Sequence, residues 1–196
     1  MFAKIIVNEF YVSIELCDIQ MKNFISYLLQ DWQANSNTSL KSRLTLLMFR
    51  FAQKSSSWLF PGCYLRFIYQ IIVEWIFGID LPWDTQVGCD LQLQHGVALV
   101  INHEVVIGSG CILRHSTTIG NKKYVDGRFS PSPIIGNNVE IGANVVILGP
   151  IKIGDHAIIG AGSVVIKDVP EGAVVAGNPT KLLKFRDKEM EFSCLS

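Results

Sequence analysis

The 196-residue chain has no excess of charge of either sign, since 17 Lys and Arg balance 17 Asp and Glu. Without a basic field there is no nucleic-acid partner to expect, and without an acidic run there is no solvating tail. Charge is scarce in absolute terms too, at 17% of residues against 49% apolar. That balance excludes disorder. So little charge also implies that part of the surface is covered by further copies of the chain. The cysteines (Cys17, Cys63, Cys89, Cys111 and Cys194) are odd in number and form no C-x-x-C pair. Reduced thiols in the cytoplasm therefore fit better than a disulfide framework. Nor is there a long unbroken apolar run. Glu9, Glu15 and Asp18 stand where a secretory leader needs its apolar core. The most hydrophobic stretch, Trp58 to Ile79, is interrupted by Pro61, Arg66 and Glu74, which a membrane span of about 20 residues does not tolerate. The aromatics of this N-terminal third are read as packing against the rest of the protein. A weak contact with a membrane surface is the alternative.

What the sequence does have changes character near residue 80. Residues 1–78 read as a helical segment. Phe24, Tyr27, Leu28 and Trp32 fall at helical spacing, as do Leu44, Leu47, Met48 and Phe51. Asn37-Thr38-Ser39 supplies cap chemistry, Pro61 opens a third helix and Gly78 ends it. From 79 to 180 the period is six. Ile135, Ile141, Ile147, Ile153, Ile159 and Val165 recur without a break, and Gly136, Gly142, Gly154 and Gly160 follow four of them. Val139, Val145, Ile151, Ala157, Ser163 and Val169 come four residues after each. Upstream, Val87, Leu93 and Leu99, then Ile107, Leu113 and Ile119, repeat the pattern. A six-residue period belongs to neither helix nor alternating strand; it marks a parallel β-helix, three hexapeptides to each 18-residue coil. The branched residue points to the axis, and the glycine is expected to relieve the backbone at the corner. Spacing does not fix the hand, and a right-handed path is the usual one for parallel crossovers. Two interruptions stand out. Two residues are extra between Leu99 and Ile107, placed around Asn102-His103, and residues 121–133 must leave the coil as a polar loop. Residues 181–196 form a tail.

The motifs are Gly-Ile-Asp (78–80), Gln-His-Gly (94–96), Thr-Thr-Ile-Gly-Asn (117–121), Ile-Gly-Ala-Asn-Val-Val-Ile-Leu-Gly (141–149), Ile-Gly-Ala-Gly-Ser-Val-Val (159–165), Val-Pro-Glu-Gly-Ala (169–173) and Ala-Gly-Asn-Pro-Thr-Lys (176–181). Through them Gly78 to Lys184 resembles the left-handed β-helix hexapeptide acyltransferases, and among these the serine acetyltransferase group. The resemblance implies a mainly β fold, a left-handed parallel β-helix with an N-terminal α-helical extension. It also implies a homotrimer with acetyl-CoA bound between neighbouring prisms.

Acetyl transfer to a hydroxyl needs a base, and a histidine titrating near neutrality suits that role. His95, two residues past the inward Leu93, should project outward at a corner. Asp80, fifteen residues earlier, is expected close to it, holding the far ring nitrogen as in a catalytic triad. The family resemblance gives both residues these roles. His115 lies one coil after His95, flanked by Arg114, and is read as acceptor-binding or as a helper to the base. Asn102 and His103 are further acceptor candidates. His156 is read as a solvated corner residue. For the CoA arm the resemblance points to Gly120, Asn121, Gly142, Ala143, Gly160 and Ala161, with Lys181 and Lys184 near the nucleotide. No carboxylate or cysteine completes a zinc set with the histidines, so no metal is expected.

Departures from the group bear on the acceptor. Serine acetyltransferases carry Asp before the catalytic histidine, where this chain has Gln94. They carry Arg-His-Pro at the end of the loop, where it has Pro131, Ser132 and Pro133. With both handles for a zwitterion lost, the chain looks more like the colanic-acid and capsule-type polysaccharide acetyltransferases, in its stretches 95–102 and 114–121. A saccharide hydroxyl is the favoured acceptor, serine the runner-up. A non-catalytic hexapeptide-repeat scaffold is the alternative of another class.

Overall fold

The computed structural model describes residues 23–55 and 62–186. The expectations for Pro61, Cys17, Cys194 and the first twenty residues lie outside the described residues. The helical part comprises residues 23–29, α1 (Leu40–Ser55), α2 (Gly62–Gln70) and a π-helical continuation, Ile71–Ile76. Ser39 caps α1, its Oγ accepting from the Ser42 N–H at 3.2 Å. The first helix stops at residue 29, short of Trp32. The chain turns there so that Asp31 and Asn35 enter the protein.

From Ile79 the chain is a parallel β-helix, left-handed and of about five turns, with three faces. Face one stacks β1 (Ile79–Asp80), β4 (Leu99–Ile101), β7 (Thr118–Gly120), β10 (Val146–Leu148) and β13 (Val164–Val165). Face two stacks β2 (Gln86–Val87), β5 (Val106–Ile107), β8 (Ile134–Ile135) and β11 (Lys152–Ile153). Face three stacks β3 (Gln92–Gln94), β6 (Ile112–Arg114), β9 (Glu140–Ile141), β12 (Ile158–Ile159) and β14 (Ala173–Ala176). An antiparallel β15 (Lys181–Phe185) closes its edge. The six-residue series from Ile135 to Val165 is buried without exception, and so is the series from Val139 to Val169. Each hexapeptide thus sends two side chains to the axis, one from its strand and one from the turn beside it, and the axis is the core.

Two expectations need correction. The glycines after the inward residues do not relieve a corner by a positive φ. They sit where the next rung comes too close for a side chain: a Cβ on Gly142 would stand 2.5 Å from the Ala161 nitrogen, and one on Gly154 2.4 Å from that of Glu171. Left-handed backbone falls elsewhere, on Asp90, His95, Ala98, Ser116, Asn138, Asn144 and His156 among others. The second correction concerns the two extra residues. Gln94 pairs with Arg114 and Val100 with Thr118, so six residues separate the first members where four separate the second. The insertion is therefore within 95–98, at His95 itself, and not at Asn102-His103.

The helices cover the open end of face three, where β3 is an edge. The Leu91 N–H donates to Asp31 Oδ1 at 2.9 Å and the Leu93 N–H to Asn35 Oδ1 at 3.0 Å. Asn35 Nδ2 returns a bond to the Leu91 carbonyl at 2.7 Å. Arg50, fully buried, pairs with Asp31 at 2.7 Å and donates to the carbonyls of Val87 and Gly88. Edge groups that would otherwise seek water or another chain are satisfied internally.

Candidate active site

The corner from face three to face one carries the histidines. At this corner the backbone ladder runs Val97, His115, Ala143 and Ala161, with Gly177 next by strand register, and the two added residues set the His95 ring beside that of His115. The neighbouring column is Gln94, Arg114, Gly142, Gly160 and Ala176. Two imidazoles thus head a stripe of small residues that runs four rungs, roughly 19 Å at 4.8 Å each. At its far end β15 brings Lys181 beside Ala176 and Lys184 beside Val174, both lysines exposed. Such a stripe leaves room for a thin chain lying along the prism, with cations where it ends.

His95 is exposed and has φ of 58°. Its ring meets that of His115 edge to face, centroids 6.1 Å apart. His115 is half-buried, and its Nδ1 is enclosed with no hydrogen-bond partner. Arg114 Nε donates to Gln94 Oε1 at 2.9 Å, which fixes the amide beside His95.

Asp80 stands at the start of face one, in register with Val100. It lines a cavity of about 100 Å³ with Tyr69, Glu74 and Trp83, under the π-helical turn. Partial burial, and then the like charge of Glu74, push its carboxyl above the usual range. Tyr69 is held protonated by burial and donates to the Leu81 carbonyl at 2.6 Å. Among the described residues no hydrogen bond or ion pair joins Asp80 to His95; the charge that acts on Asp80 is that of Glu74.

The remaining candidates gather at the corner between faces one and two. Gly120 pairs with Leu148, and Asn121 follows at the base of the extruded loop. The loop is a small hairpin: Lys123 bridges Phe129, and Arg128 pairs with Asp126 at 2.6 Å. Arg128 is thereby committed to its own loop. Under the hairpin lies an open groove of about 880 Å³, lined by Asn102, His103, Glu104, Asn121, Phe129 and Ser132 among others. Ser132 is buried, and its hydroxyl donates to Asn102 Oδ1 at 3.2 Å. Within one chain, the residues read from sequence as one site therefore occupy two corners. Glu104, Phe129, Ser132 and Glu74 were missed. Ser132 carried the one signal in the sequence, a small polar residue between two prolines at the end of the extruded loop. Among the described residues, no group of three or more His, Cys, Asp or Glu is placed to hold a metal ion. No helix among them is long and apolar enough to cross a membrane.

The family described as bacterial transferase hexapeptide (six repeats) matches residues 132–167. WcaB of Escherichia coli K12, whose name assigns it to colanic acid biosynthesis as an acetyltransferase, is 38% identical over 162 residues, 79% of this chain and 98% of its own length. The chain belongs to the hexapeptide-repeat acetyltransferases. Serine acetyltransferase 4 of Arabidopsis thaliana is 39% identical over 150 residues, 76% of this chain and 41% of the plant protein. In shape, this hexapeptide-repeat acetyltransferase is similar to the serine acetyltransferase of Brucella abortus strain S19 solved in complex with coenzyme A. That likeness has a TM-score of 0.72 and 27% identity, and covers 85% of this chain and 70% of that one.

Proposed function

We propose that the chain transfers an acetyl group from acetyl-CoA to a saccharide hydroxyl in exopolysaccharide or capsule biosynthesis, in the cytoplasm. The observation that carries this reading is the pair of touching imidazoles, His95 and His115, heading a stripe of small residues that ends at Lys181 and Lys184. The pantetheine arm lies along Gly142, Ala143, Gly160 and Ala161 with the phosphates at the lysines, which brings the thioester to the histidines. His95 takes the hydroxyl proton as the oxygen attacks the acetyl carbonyl, and later returns it to the departing sulfur. Asp80 offsets the imidazolium charge once acceptor and a neighbouring copy close the corner.

A homotrimer completes the site. The outward residues of face one, Val100, Thr118, Val146 and Val164, form a mostly apolar column, unlike the polar alternation of a solvated sheet. Packing copies along the prism brings the histidine corner of one against the loop corner, with Gly120, Asn121, Asn102 and His103, of the next. Gln94 and Arg114 at one corner, and Asn102, Asn121 and Ser132 at the other, offer the hydrogen bonds that sugar hydroxyls need.

The serine reading draws support from the 39% identity to the plant serine acetyltransferase. Against it stand Gln94 and the Pro131-Ser132-Pro133 run, uncharged where serine acetyltransferases carry Asp and Arg-His. Release of free CoA thiol from acetyl-CoA, measured against serine and a panel of nucleotide and oligosaccharide acceptors, decides the matter. Saccharide-dependent release supports the proposal, serine-dependent release replaces the acceptor, and no release with any hydroxyl favours a scaffold.

A further inference from the structure

Nothing above explains why His115 has an enclosed Nδ1 with no partner. Buried polar atoms in proteins are nearly all hydrogen-bonded, and an orphan calls for a reason. An orphaned N–H is rarer than an orphaned lone pair, so the ring proton belongs on the other nitrogen, Nε2. That nitrogen then presents an N–H donor that no group of the described chain takes up. The ring cannot turn freely to find one. It is half-buried, its backbone carbonyl accepts from the Asn144 N–H at 3.1 Å, and the His95 ring lies against it.

Register says what this donor faces. His115 stands on the corner ladder between Val97 and Ala143, with the His95 ring against its own on the side away from Ala143. An acyl carrier lying on the small-residue stripe reaches His115 before it reaches the base. The group at that level is the one next to the attacked carbon. We infer that His115 Nε2–H is the donor to the thioester carbonyl oxygen, a catalytic residue for the oxyanion, distinct from an acceptor-binding role. This rests on the reading that acetyl-CoA occupies the stripe.

The step balances as follows. The hydroxyl oxygen forms a bond to the acetyl carbon while His95 takes its proton. The carbonyl π pair moves onto oxygen, where the His115 N–H meets the new negative charge without giving up its proton. The pair then reforms the carbonyl, the carbon–sulfur bond breaks with its electrons on sulfur, and the proton on His95 goes to the thiolate. His115 ends in the state in which it began.

The test uses the full chain and [1-¹³C]acetyl-CoA, and needs no acceptor. Isotope-edited infrared difference spectra report the thioester carbonyl of the bound molecule. Wild type is expected to shift that band to lower frequency, His115→Phe to leave it at its solution position, and His115→Gln, which keeps an amide donor, to restore part of the shift. In turnover with whichever hydroxyl the acceptor panel supports, His115→Phe should lose about 10²–10³-fold in kcat, the range for one oxyanion donor, at an unchanged KM for acetyl-CoA. An equal shift in wild type and His115→Phe overturns the inference, as does a rise confined to the acceptor KM. Failure of wild type to bind acetyl-CoA at all overturns the reading beneath it as well.

Discussion

The corner from face two to face three passes through Asp90, Gly110, Asn138, His156 and Gly172, and the corner from face three to face one through Gly78, Ala98, Ser116, Asn144 and Gly162. All ten have positive φ. The backbone device is shared: one left-handed residue just before the next strand lets a flat rung turn. The side chains at the first corner serve the turn, since Asn, Asp and Gly tolerate that conformation at the lowest cost. Only the second corner has two added residues, two adjacent imidazoles and a trail of alanine and glycine beneath them. His156 and His95 share residue type and backbone conformation, at φ of 59° and 58°. What separates them is what lies next to each along the prism axis. A histidine here is informative by its column, not by its presence.

The largest effect should come from breaking that contrast directly. His95→Ala is expected to lower turnover by about 10²–10⁴-fold with acetyl-CoA binding retained, while His156→Ala stays within about twofold of wild type, both read by thiol release. Removing Gly96 and Val97 together would make the histidine corner as short as its neighbours. The prism should persist, with unchanged circular dichroism, and turnover should fall by about 10²-fold because His95 is re-aimed. Wild-type activity in that deletion would mean the bulge does not orient the base. Ala161→Phe places a ring on the stripe and should raise the KM for acetyl-CoA about tenfold, or 1.4 kcal/mol, whereas a Phe at His156 leaves that KM alone.

Gly142→Ala asks whether the rungs can separate. Its new methyl carbon meets the Ala161 nitrogen at 2.5 Å, and overpacking of this kind costs about 1–3 kcal/mol, visible as a lower melting temperature. The smallest effect on stability is expected from Asp80→Asn. A carboxyl held above its usual range is happier protonated in the folded state, so ionised Asp80 works against stability, increasingly as pH rises through the raised value. The variant should melt higher than wild type at neutral pH, and the gain should vanish as pH falls below the carboxylate range. A gain that does not vary with pH would remove the charge explanation.

The period of six made the prism legible because every inward position is confined to the axis, and only branched or small side chains fit there. The place of the insertion was not legible, for a reason seen in Leu99-Val100-Ile101. Both outer members of that triplet are buried, at 1% and 0% exposure. A count along the sequence can therefore step from one inward column to the other without noticing, and the two spare residues moved from His95 to Asn102. His115 and His95 are adjacent by their rings, but the residue one coil before His115 is Val97, because the spare residues sit at His95. The separation of the site into two corners was hidden because sequence spacing reports the rung and not which side of a face a residue leaves from. Asp31, Asn35 and Arg50 looked like ordinary helix residues, since their partners in the coil lie 37 to 60 positions away.

A solenoid has no built-in stopping point: each rung is a template for another, and a bare first rung would accept one from any passing molecule. The Asp31–Asn35–Arg50 cluster sets the length. By occupying the amide groups of Leu91 and Leu93 it ends the stack at one molecule, and a buried pair broken at Arg50, at a cost of about 3–5 kcal/mol, would also bare an end on which chains can polymerise into fibres. The helices ahead of the coil are thus a terminator as much as a lid.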